Sequence, residues 1–146
     1  MPPAGEYEPS PVELVRDQVA RYERTDGDEG GVGLDSGLPI IVVTMRGRFT
    51  CKIRKAPLMR IEHAGSYALV ASNNGAEHHP LWYHNFIADP SVTVQDGPKR
   101  FAGRVRELHG AERDVWWQRA VAAYPQYAIY QSQMKRIIPV LLIERI

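Results

Sequence analysis

The pattern of apolar and polar positions predicts a chain of mainly antiparallel β-strands with helices between some of them. Apolar residues repeat at helical spacing from Ser10 to Thr25, and Ser10-Pro11-Val12-Glu13 has the form of a capping box. A buried strand is predicted at Leu38 to Met45, since its middle is apolar on both faces. Strands joined by short turns form a meander, which in a chain of this size commonly closes into a small barrel. The other predicted strands are 57–61, 67–71, 91–95, 99–108 and 137–143, and the other predicted helices are 80–88, 110–124 and a short one after Pro125.

The chain is predicted to be one domain, residues 10–146, preceded by a flexible tail over residues 1–9 that is rich in proline and polar groups. The apolar stripe of the N-terminal helix packs on the body, covers a ligand site or contacts a membrane, and packing is the favoured interpretation. Asp26 to Gly37 is a glycine-rich acidic loop. A dinucleotide fingerprint follows a strand and opens a helix, whereas this loop does the reverse, so we interpret it as a linker.

Charge and composition limit the classes of ligand and the cellular location that the sequence predicts. The formal net charge is +1 at pH 7, which argues against a nucleic-acid ligand, since proteins that bind nucleic acid usually carry a marked basic excess. The single cysteine, Cys51, cannot form an intrachain disulfide, as expected in a reducing compartment. The first residues lack the features of a secretory signal, and no apolar run is long enough to span a bilayer. These features predict a cytoplasmic protein, with peripheral contact at the inner face of the membrane through the N-terminal helix left open.

The most informative stretch is residues 71–85, in which an apolar strand leads into a helix that Pro80 starts. Its middle, Ser72-Asn73-Asn74-Gly75, has small side chains and backbone N–H groups free to meet a polar or anionic ligand. Trp82, Tyr83 and Asn85 follow, and their flat apolar surfaces with polar tips suit the wall of a site for an aromatic ring. On these residues alone, a strand-turn-helix corner with its tryptophan in the core is equally compatible.

A second motif is a strongly basic hairpin between the first two predicted strands. Five cations within ten residues repel one another unless they are solvated or face an anion. Guanidinium and ammonium groups bind phosphate and carboxylate, so an anionic ligand is the favoured interpretation and a solvated surface turn the alternative. The cations are Arg46, Arg48, Lys52, Arg54 and Lys55.

A third motif is a tyrosine cluster beginning at Tyr124. Pro125 ends the preceding helix and can start another, so Tyr127 and Tyr130 share one helical face with Met134 a turn further on. Tyrosines so close together are costly to bury without hydrogen-bond partners for their hydroxyl groups. An aromatic stripe at helical spacing is nevertheless most often core.

The three motifs, in this order and with these separations, resemble the deazaflavin-dependent nitroreductase family of actinobacteria over nearly the full length. Members of that family use reduced coenzyme F-420 and have a split β-barrel fold related to FMN-binding proteins. The resemblance implies an α+β fold, mainly antiparallel, with a split β-barrel and flanking helices. It is carried by Gly47-Arg48, Thr50, Arg54, Pro57-Leu58, Ala71-Ser72, Gly75-Ala76-Glu77, Pro80, Trp82-Tyr83, Asn85, Tyr124-Pro125, Tyr127, Tyr130-Gln131, Arg136 and Ile138-Pro139.

The resemblance also implies roles for individual residues. The basic hairpin would hold the phosphate and acidic tail of the coenzyme, and Pro57 with the 71–74 backbone would border its ring. The implied cofactor-binding residues are Arg48, Thr50, Lys52, Arg54, Lys55, Pro57, Ala71, Ser72, Asn73, Asn74, Trp82 and Asn85. The residues implied to surround the acceptor, and hence the candidate catalytic residues, are Ser72, Tyr124, Tyr127 and Tyr130. Two positions depart from the family pattern: Phe49 stands where a lysine is common, and Met59 where a tyrosine can line the pocket.

The function implied is hydride transfer from reduced coenzyme F-420 to a small electron acceptor such as a quinone, a nitroaromatic or an α,β-unsaturated carbonyl compound. A coenzyme-binding carrier without turnover and an FMN-dependent oxidase of the related barrel families are the alternatives. A metal enzyme built on His78, His79 and His84 is disfavoured, because their spacing does not direct the three side chains to one point, and no metal is expected. Oligomeric state does not follow from the sequence.

Overall fold

A computed structural model describes residues 2–146 as a seven-stranded antiparallel sheet flanked by four helices. The strands are β1 (Ile40–Arg46), β2 (Ile53–Met59), β3 (Ile61–His63), β4 (Ser66–Val70), β5 (Ser91–Asp96), β6 (Lys99–Glu107) and β7 (Val140–Arg145). The helices are α1 (Glu13–Arg24), α2 (Leu81–Ala88), α3 (Gly110–Ala123) and α4 (Gln126–Ser132), with a short 3-10 turn at Asn73–Gly75. No helix within residues 2–146 combines the length and apolar character needed to cross a bilayer.

The sheet curls because its two edge strands are consecutive in the chain. The strand order is β2-β1-β5-β6-β7-β4-β3, and only Arg60 separates the end of β2 from the start of β3. All neighbouring strands pair antiparallel. Arg60 is fixed at this junction by Asp96, whose two carboxylate oxygens each lie 3.0 Å from its Nε. The predicted α+β class and the split, barrel-like sheet are confirmed.

The first half of β1 is buried on both faces, which explains its continuous apolar run. Ile41 and Val43 point into the barrel with Phe86 of α2, whereas Ile40 and Val42 pack under α1. Strands β4 and β7 divide their side chains in the same way, since alternate residues of a strand point to opposite faces. A further apolar cluster joins them to α3, α4 and the segment before β7, through residues that include Trp116, Ala120, Tyr127, Met134 and Ile138.

Several boundaries differ from those predicted. The strand predicted at 57–61 begins at Ile53, so the basic residues Arg54 and Lys55 lie in β2, opposite Met45 and Thr44 of β1. Short strand β3 was not predicted, because three residues give too little alternation to recognise. Helix α1 starts at Glu13, and the Ser10 hydroxyl accepts only the Val12 N–H at 3.2 Å, so no full capping box forms.

Part of the predicted N-terminal tail runs along β2. Tyr7 forms a parallel bridge with Ile53. The Ile53 N–H donates to the Glu6 carbonyl at 2.8 Å, and the Glu8 N–H donates to the Ile53 carbonyl at 2.9 Å. These bonds place the side chains of Glu6 and Glu8 beside the basic residues of β2. Flexibility of residues 1–9 and the single-domain boundary at residue 10 stay predictions.

Candidate cofactor-binding and active site

Two adjacent cavities lie between the edge strand β2, helix α1 and the segment from Val70 to Trp82. The first measures about 400 Å³ and the second about 280 Å³. Val15, Pro57, Leu58 and Trp82 line both. Because these four side chains are common walls, the cavities are neighbouring parts of one groove.

The first cavity is the one that the basic hairpin builds. Of the predicted cofactor-binding residues, those that line it are Arg48, Thr50, Arg54, Lys55, Pro57, Trp82 and Asn85. Asn85 also fixes the hairpin, since its Oδ1 accepts the backbone N–H of Arg48 at 3.1 Å. Lys52 lies outside the cavity, beside Glu6 and Glu8. Phe49 lines the rim and is 83% exposed.

The second cavity brings the central turn and the tyrosines together. Ser72, Asn73, Asn74, Tyr124 and Tyr127 line it, joined by Met59 and Val70. Ala71 is fully buried behind them. Tyr130 lines neither cavity. Its ring instead packs against Gly75, so closely that a Cβ at that glycine would lie 2.9 Å from the Tyr130 Cδ1.

The turn that faces the second cavity has an unusual backbone. Ser72 is right-handed helical, with φ −75° and ψ −28°, whereas Asn73, Asn74 and Gly75 all have positive φ, at 50°, 53° and 85°. A right-handed residue followed by a left-handed one forms a nest, a concavity of N–H groups that suits anionic or carbonyl oxygens. Within residues 2–146 the N–H groups of Ser72, Asn73 and Asn74 have no protein acceptor, whereas those of Gly75 and Ala76 bond to Ser72 and Asn73 carbonyls at 3.0 Å. The turn therefore offers three donors.

Arg136 holds this turn through the carbonyl groups of its backbone. We refer to residues 71–76 as the corner. The Arg136 guanidinium donates to three corner carbonyls: Nε to Ala76 at 3.0 Å, Nη1 to Ala71 at 3.1 Å and Nη2 to Ser72 at 2.8 Å. Its Nη1 also lies 2.9 Å from Nδ1 of His79. Burial, and then the Arg136 charge, lower the pKa of His79, which keeps its ring neutral and able to accept this bond.

Arg54 and Lys55 of β2, and Lys52 just before this strand, are already paired with carboxylates. Arg54 forms an ion pair with Glu8, and Lys52 lies 3.8 Å from Glu8 and 3.9 Å from Glu6. Lys55 bonds to Glu23 of α1 at 2.6 Å. These pairings were not predictable from the sequence, because they depend on where the N-terminal segment runs. No local pattern specifies that path.

Tyr127 is a buried tyrosine whose hydroxyl has only a weak partner. Its ring is buried and packs edge-on against Tyr124, with 5.0 Å between ring centroids. The hydroxyl contacts only the sulfur of Met59 at 3.6 Å, which is a weak acceptor. Burial raises the pKa of Tyr127, so the hydroxyl keeps its proton. It is a neutral donor at the wall of the second cavity.

Helix α1 and the glycine-rich loop also contribute to the groove. Val15 lines both cavities and Gln18 lines the second, so the helix covers the groove as well as packing on the sheet. The Gln18 amide donates to the carbonyls of Gly30 at 2.9 Å and Val32 at 2.7 Å, which brings residues 33–36 to the second cavity. Interpreting this loop as only a linker was therefore incomplete. The apolar stripe of α1 was the one feature of the sequence that indicated that the helix could cover a ligand site.

The histidines near the corner do not gather around one point. Among residues 2–146 no group of three or more His, Cys, Asp or Glu side chains is arranged to hold a metal ion. The ring centroids of His79 and His84 are 5.9 Å apart, and Nδ1 of His79 faces Arg136.

The curled barrel, with a cationic pocket beside a nest and a tyrosine wall, defines a cofactor-binding split barrel. The chain belongs to the F-420H(2)-dependent quinone reductase family, whose model matches residues 14–145. It is therefore an oxidoreductase whose cofactor is coenzyme F-420, and the resemblance inferred from the sequence is confirmed.

Individual relatives agree with this assignment. An F-420H(2)-dependent quinone reductase of Mycobacterium tuberculosis is 31% identical over 137 residues, covering 92% of this chain and 91% of the relative. The solved structure of an F-420H(2)-dependent reductase is 50% identical, with a TM-score of 0.69 over 73% of this chain and 94% of that one. A second solved structure, described as a domain-swapped dimer, is 46% identical, with a TM-score of 0.71 over 92% of this chain and all (100%) of that one.

Proposed function

We propose that this protein transfers a hydride from reduced coenzyme F-420 to a quinone held in the second cavity. The observation that carries the proposal is the pair of adjoining cavities. One is lined by cations and the other by free N–H groups and a tyrosine hydroxyl, and Pro57 and Trp82 belong to both. Such a groove accommodates an anionic tail, a flat ring and an acceptor in sequence.

The residues present fit the coenzyme. Arg48, Arg54 and Lys55 would bind its phosphate and acidic tail, because guanidinium and ammonium groups pair with both anions. Trp82 and Pro57 would flank its ring, and the N–H groups of the corner would bind the polar edge of that ring. A 5-deazaflavin has carbon where a flavin has its reactive nitrogen, so the bound reduced coenzyme supplies a two-electron hydride.

The protein's own part is to bind, orient and stabilise charge. Helix α1 covers part of the groove through Val15 and Gln18 and so limits the access of water to it. Tyr127 would donate a hydrogen bond to the acceptor oxygen that becomes negative, and Ser72 lies on the same cavity wall. A fixed donor aimed at developing charge accelerates the step without a nucleophile or a separate base.

A quinone is the acceptor class that the family supports, and the lining of the second cavity agrees with a flat apolar ring. Leu58, Met59 and Val70 provide apolar surface, and polar groups are concentrated at the turn and the tyrosines. Nitroaromatics and α,β-unsaturated carbonyl compounds share the flat shape and a terminal oxygen, so we include them as further acceptors of the same site. Peripheral membrane contact through α1 and a cytoplasmic location stay predictions.

The test is anaerobic turnover with reduced coenzyme F-420 and menadione, followed through the absorbance of the oxidised coenzyme. We expect oxidation only when protein is present, and loss of coenzyme affinity of about tenfold or more when Lys52, Arg54 and Lys55 are all changed to Gln. The matched control changes Lys99, Arg104 and Arg145 to Gln, which removes equal charge from β6 and β7, outside both cavities. Binding without turnover would support a carrier, and activity with FMN alone would support a flavin oxidase; either result overturns the proposal.

A further inference from the structure

We infer that Arg136 is a positioning residue for the coenzyme, acting through the corner rather than by touching the ligand. This inference rests on the proposed function. Arg136 lies after α4, about sixty residues beyond the corner, and the Gln131 side chain holds its segment by bonding to the Arg136 carbonyl and the Ile138 N–H, both at 2.8 Å. Within residues 2–146 Arg136 makes no ion pair, so its charge and donors serve the corner.

The geometry of the peptide links Arg136 to the cavity. In a trans peptide the C=O and the N–H of the next residue point in opposite directions, and residues 2–146 contain no cis peptide bond. Arg136 binds the carbonyls of Ala71 and Ser72. It thereby turns the N–H groups of Ser72 and Asn73 away from itself, toward the cavity that these residues line. The N–H groups of the nest face the cavity because the carbonyl groups of the same peptides are bound by Arg136.

The backbone of the turn needs such a restraint. Asn73 and Asn74 both hold positive φ, a conformation that persists in non-glycine residues only where the surroundings impose it. Arg136 supplies a planar fork of donors that a lysine ammonium cannot reproduce, since the acceptors on Ala71, Ser72 and Ala76 are bound through different nitrogens.

The experiment measures the dissociation constant of oxidised coenzyme F-420 by its own fluorescence in the wild type, Arg136→Lys and Arg136→Met. We expect the Met variant to bind about tenfold or more weakly, with Lys restoring only a minor part, because small misplacements of a binding group cost this much. At saturating coenzyme the KM for menadione should change by less than about twofold. Methylguanidinium added to Arg136→Gly should restore part of the affinity.

The matched control is Arg113, whose Nη2 donates to the Ile138 carbonyl at 2.6 Å without touching the corner. Arg113→Met should lower the melting temperature but leave the coenzyme dissociation constant unchanged. Equal losses of affinity in the Arg113 and Arg136 variants, or full affinity in Arg136→Met, would overturn the inference. Wild-type protein that binds coenzyme without oxidising it overturns the proposed function alone, since the binding comparison still stands. Wild-type protein without affinity overturns both.

A second inference comes from the ion pairs of β2 and is independent of Arg136. The structure assigns the acidic segment, residues 6–8, to the site of the coenzyme's anionic tail, as an internal competitor. Its carboxylates are paired with Lys52 and Arg54, two of the cations that such a tail needs. Of the five basic residues of the hairpin, Arg48 is the one that makes no ion pair within residues 2–146.

The acidic segment is held weakly enough to be displaced. Two backbone hydrogen bonds join it to Ile53, and the side chains of Glu6 and Glu8 are 77% and 38% exposed. Ion pairs of this exposure are individually weak. The coenzyme's tail carries several negative charges, and when it displaces the acidic segment it forms the same ion pairs with the hairpin. Binding therefore replaces the carboxylates of Glu6 and Glu8 with the anionic groups of the tail.

The double variant Glu6→Gln/Glu8→Gln tests this exchange. We expect its coenzyme dissociation constant to fall about three- to tenfold at low salt, with the difference shrinking at 200 mM salt because screening weakens exposed pairs. The control, Glu13→Gln/Asp17→Gln, removes the same charge from α1, where neither residue pairs with the hairpin. Weaker binding in the Glu6/Glu8 variant, or a gain no larger than that of the control, would overturn the inference.

Discussion

Single residues in the site act through backbone conformation as much as through side-chain chemistry. Asn and Gly are the residues that most readily adopt positive φ, so Asn73-Asn74-Gly75 is a sequence suited to the turn that it forms. The turn was therefore partly predictable. The contribution of Arg136 was not, because a contact between residues about sixty positions apart leaves no local pattern. Arg136 is one of the residues that carry the family resemblance, which indicated that it is important but not what it does.

Gly75→Ala should destabilise the protein more than a glycine substitution in open space. The alanine would need φ near 85° and would place its Cβ 2.9 Å from the Tyr130 ring. Gly37→Ala meets the same kind of backbone strain with no atom within 4 Å, so it serves as the control. We expect urea unfolding to show a loss of about 1–2 kcal/mol for Gly37→Ala and a larger loss for Gly75→Ala. Equal losses would mean that the Tyr130 contact is not tight.

Tyr127→Phe should reduce turnover with little effect on stability. The hydroxyl loses only a sulfur contact, but it is the donor that we assign to the acceptor oxygen. We expect kcat with menadione to fall about 10- to 100-fold and the melting temperature to stay within about 2 °C. In contrast, Tyr22 lines neither cavity, and Tyr22→Phe removes the acceptor of the Gly97 N–H at 2.7 Å, so it should lower stability by about 1–3 kcal/mol without lowering kcat. The reverse pattern would remove Tyr127 from the mechanism.

At the scale of elements, the sequence was informative where burial is repetitive and uninformative where contacts are distant. The buried run of β1 was recognisable because both of its faces are covered. The start of β2 was not, because charged Arg54 and Lys55 resemble a turn until the carboxylates of residues 6–8 and Glu23 are placed beside them. Helix α1 carried a readable apolar stripe, but a stripe does not distinguish packing from covering a cavity.

Gln18 joins two of these elements, and its removal should loosen the loop that lines the second cavity. Gln18 is buried, and Gln18→Ala would leave the carbonyls of Gly30 and Val32 without their donor. We expect a stability loss of about 1–3 kcal/mol and a higher KM for menadione, with the coenzyme dissociation constant unchanged. The exposed Gln118 of α3 provides a control, since Gln118→Ala should alter none of these quantities. A weaker affinity for the coenzyme in Gln18→Ala would contradict this prediction, because it would mean that the loop contacts the coenzyme and not only the acceptor.

At the scale of the whole molecule, the fold depends on bringing the two ends of the sheet together at Arg60. Asp96 at the end of β5 binds Arg60 and also accepts the Tyr67 hydroxyl of β4 at 2.5 Å. Burial, and then this hydrogen bond, raise the pKa of Tyr67 to about 12, so the tyrosine stays a donor at physiological pH. One carboxylate thus links three parts of the curled sheet. The class of fold was predictable from strand spacing, but this closure was not, because it joins residues distant in sequence.

Asp96→Asn should therefore destabilise the barrel without a direct effect on the site. The amide would leave the Arg60 charge unpaired and weaken the bond from Tyr67, at an expected cost of about 1–3 kcal/mol in chemical denaturation. Asp96 lines neither cavity of the groove, so the coenzyme dissociation constant of the folded variant should match that of the wild type. Asp114, an exposed carboxylate on α3, is the control, and Asp114→Asn should unfold at the same denaturant concentration as the wild type. A coenzyme defect in Asp96→Asn would show that barrel closure shapes the groove.

The position of Trp82 has a practical consequence. The chain has three tryptophans, and Trp82 is the one that borders the groove, whereas Trp116 and Trp117 lie on α3. With the α3 pair replaced by phenylalanine, the remaining indole would be an optical reporter in the wall common to both chambers. Its emission would record the arrival of each ligand separately, without any label.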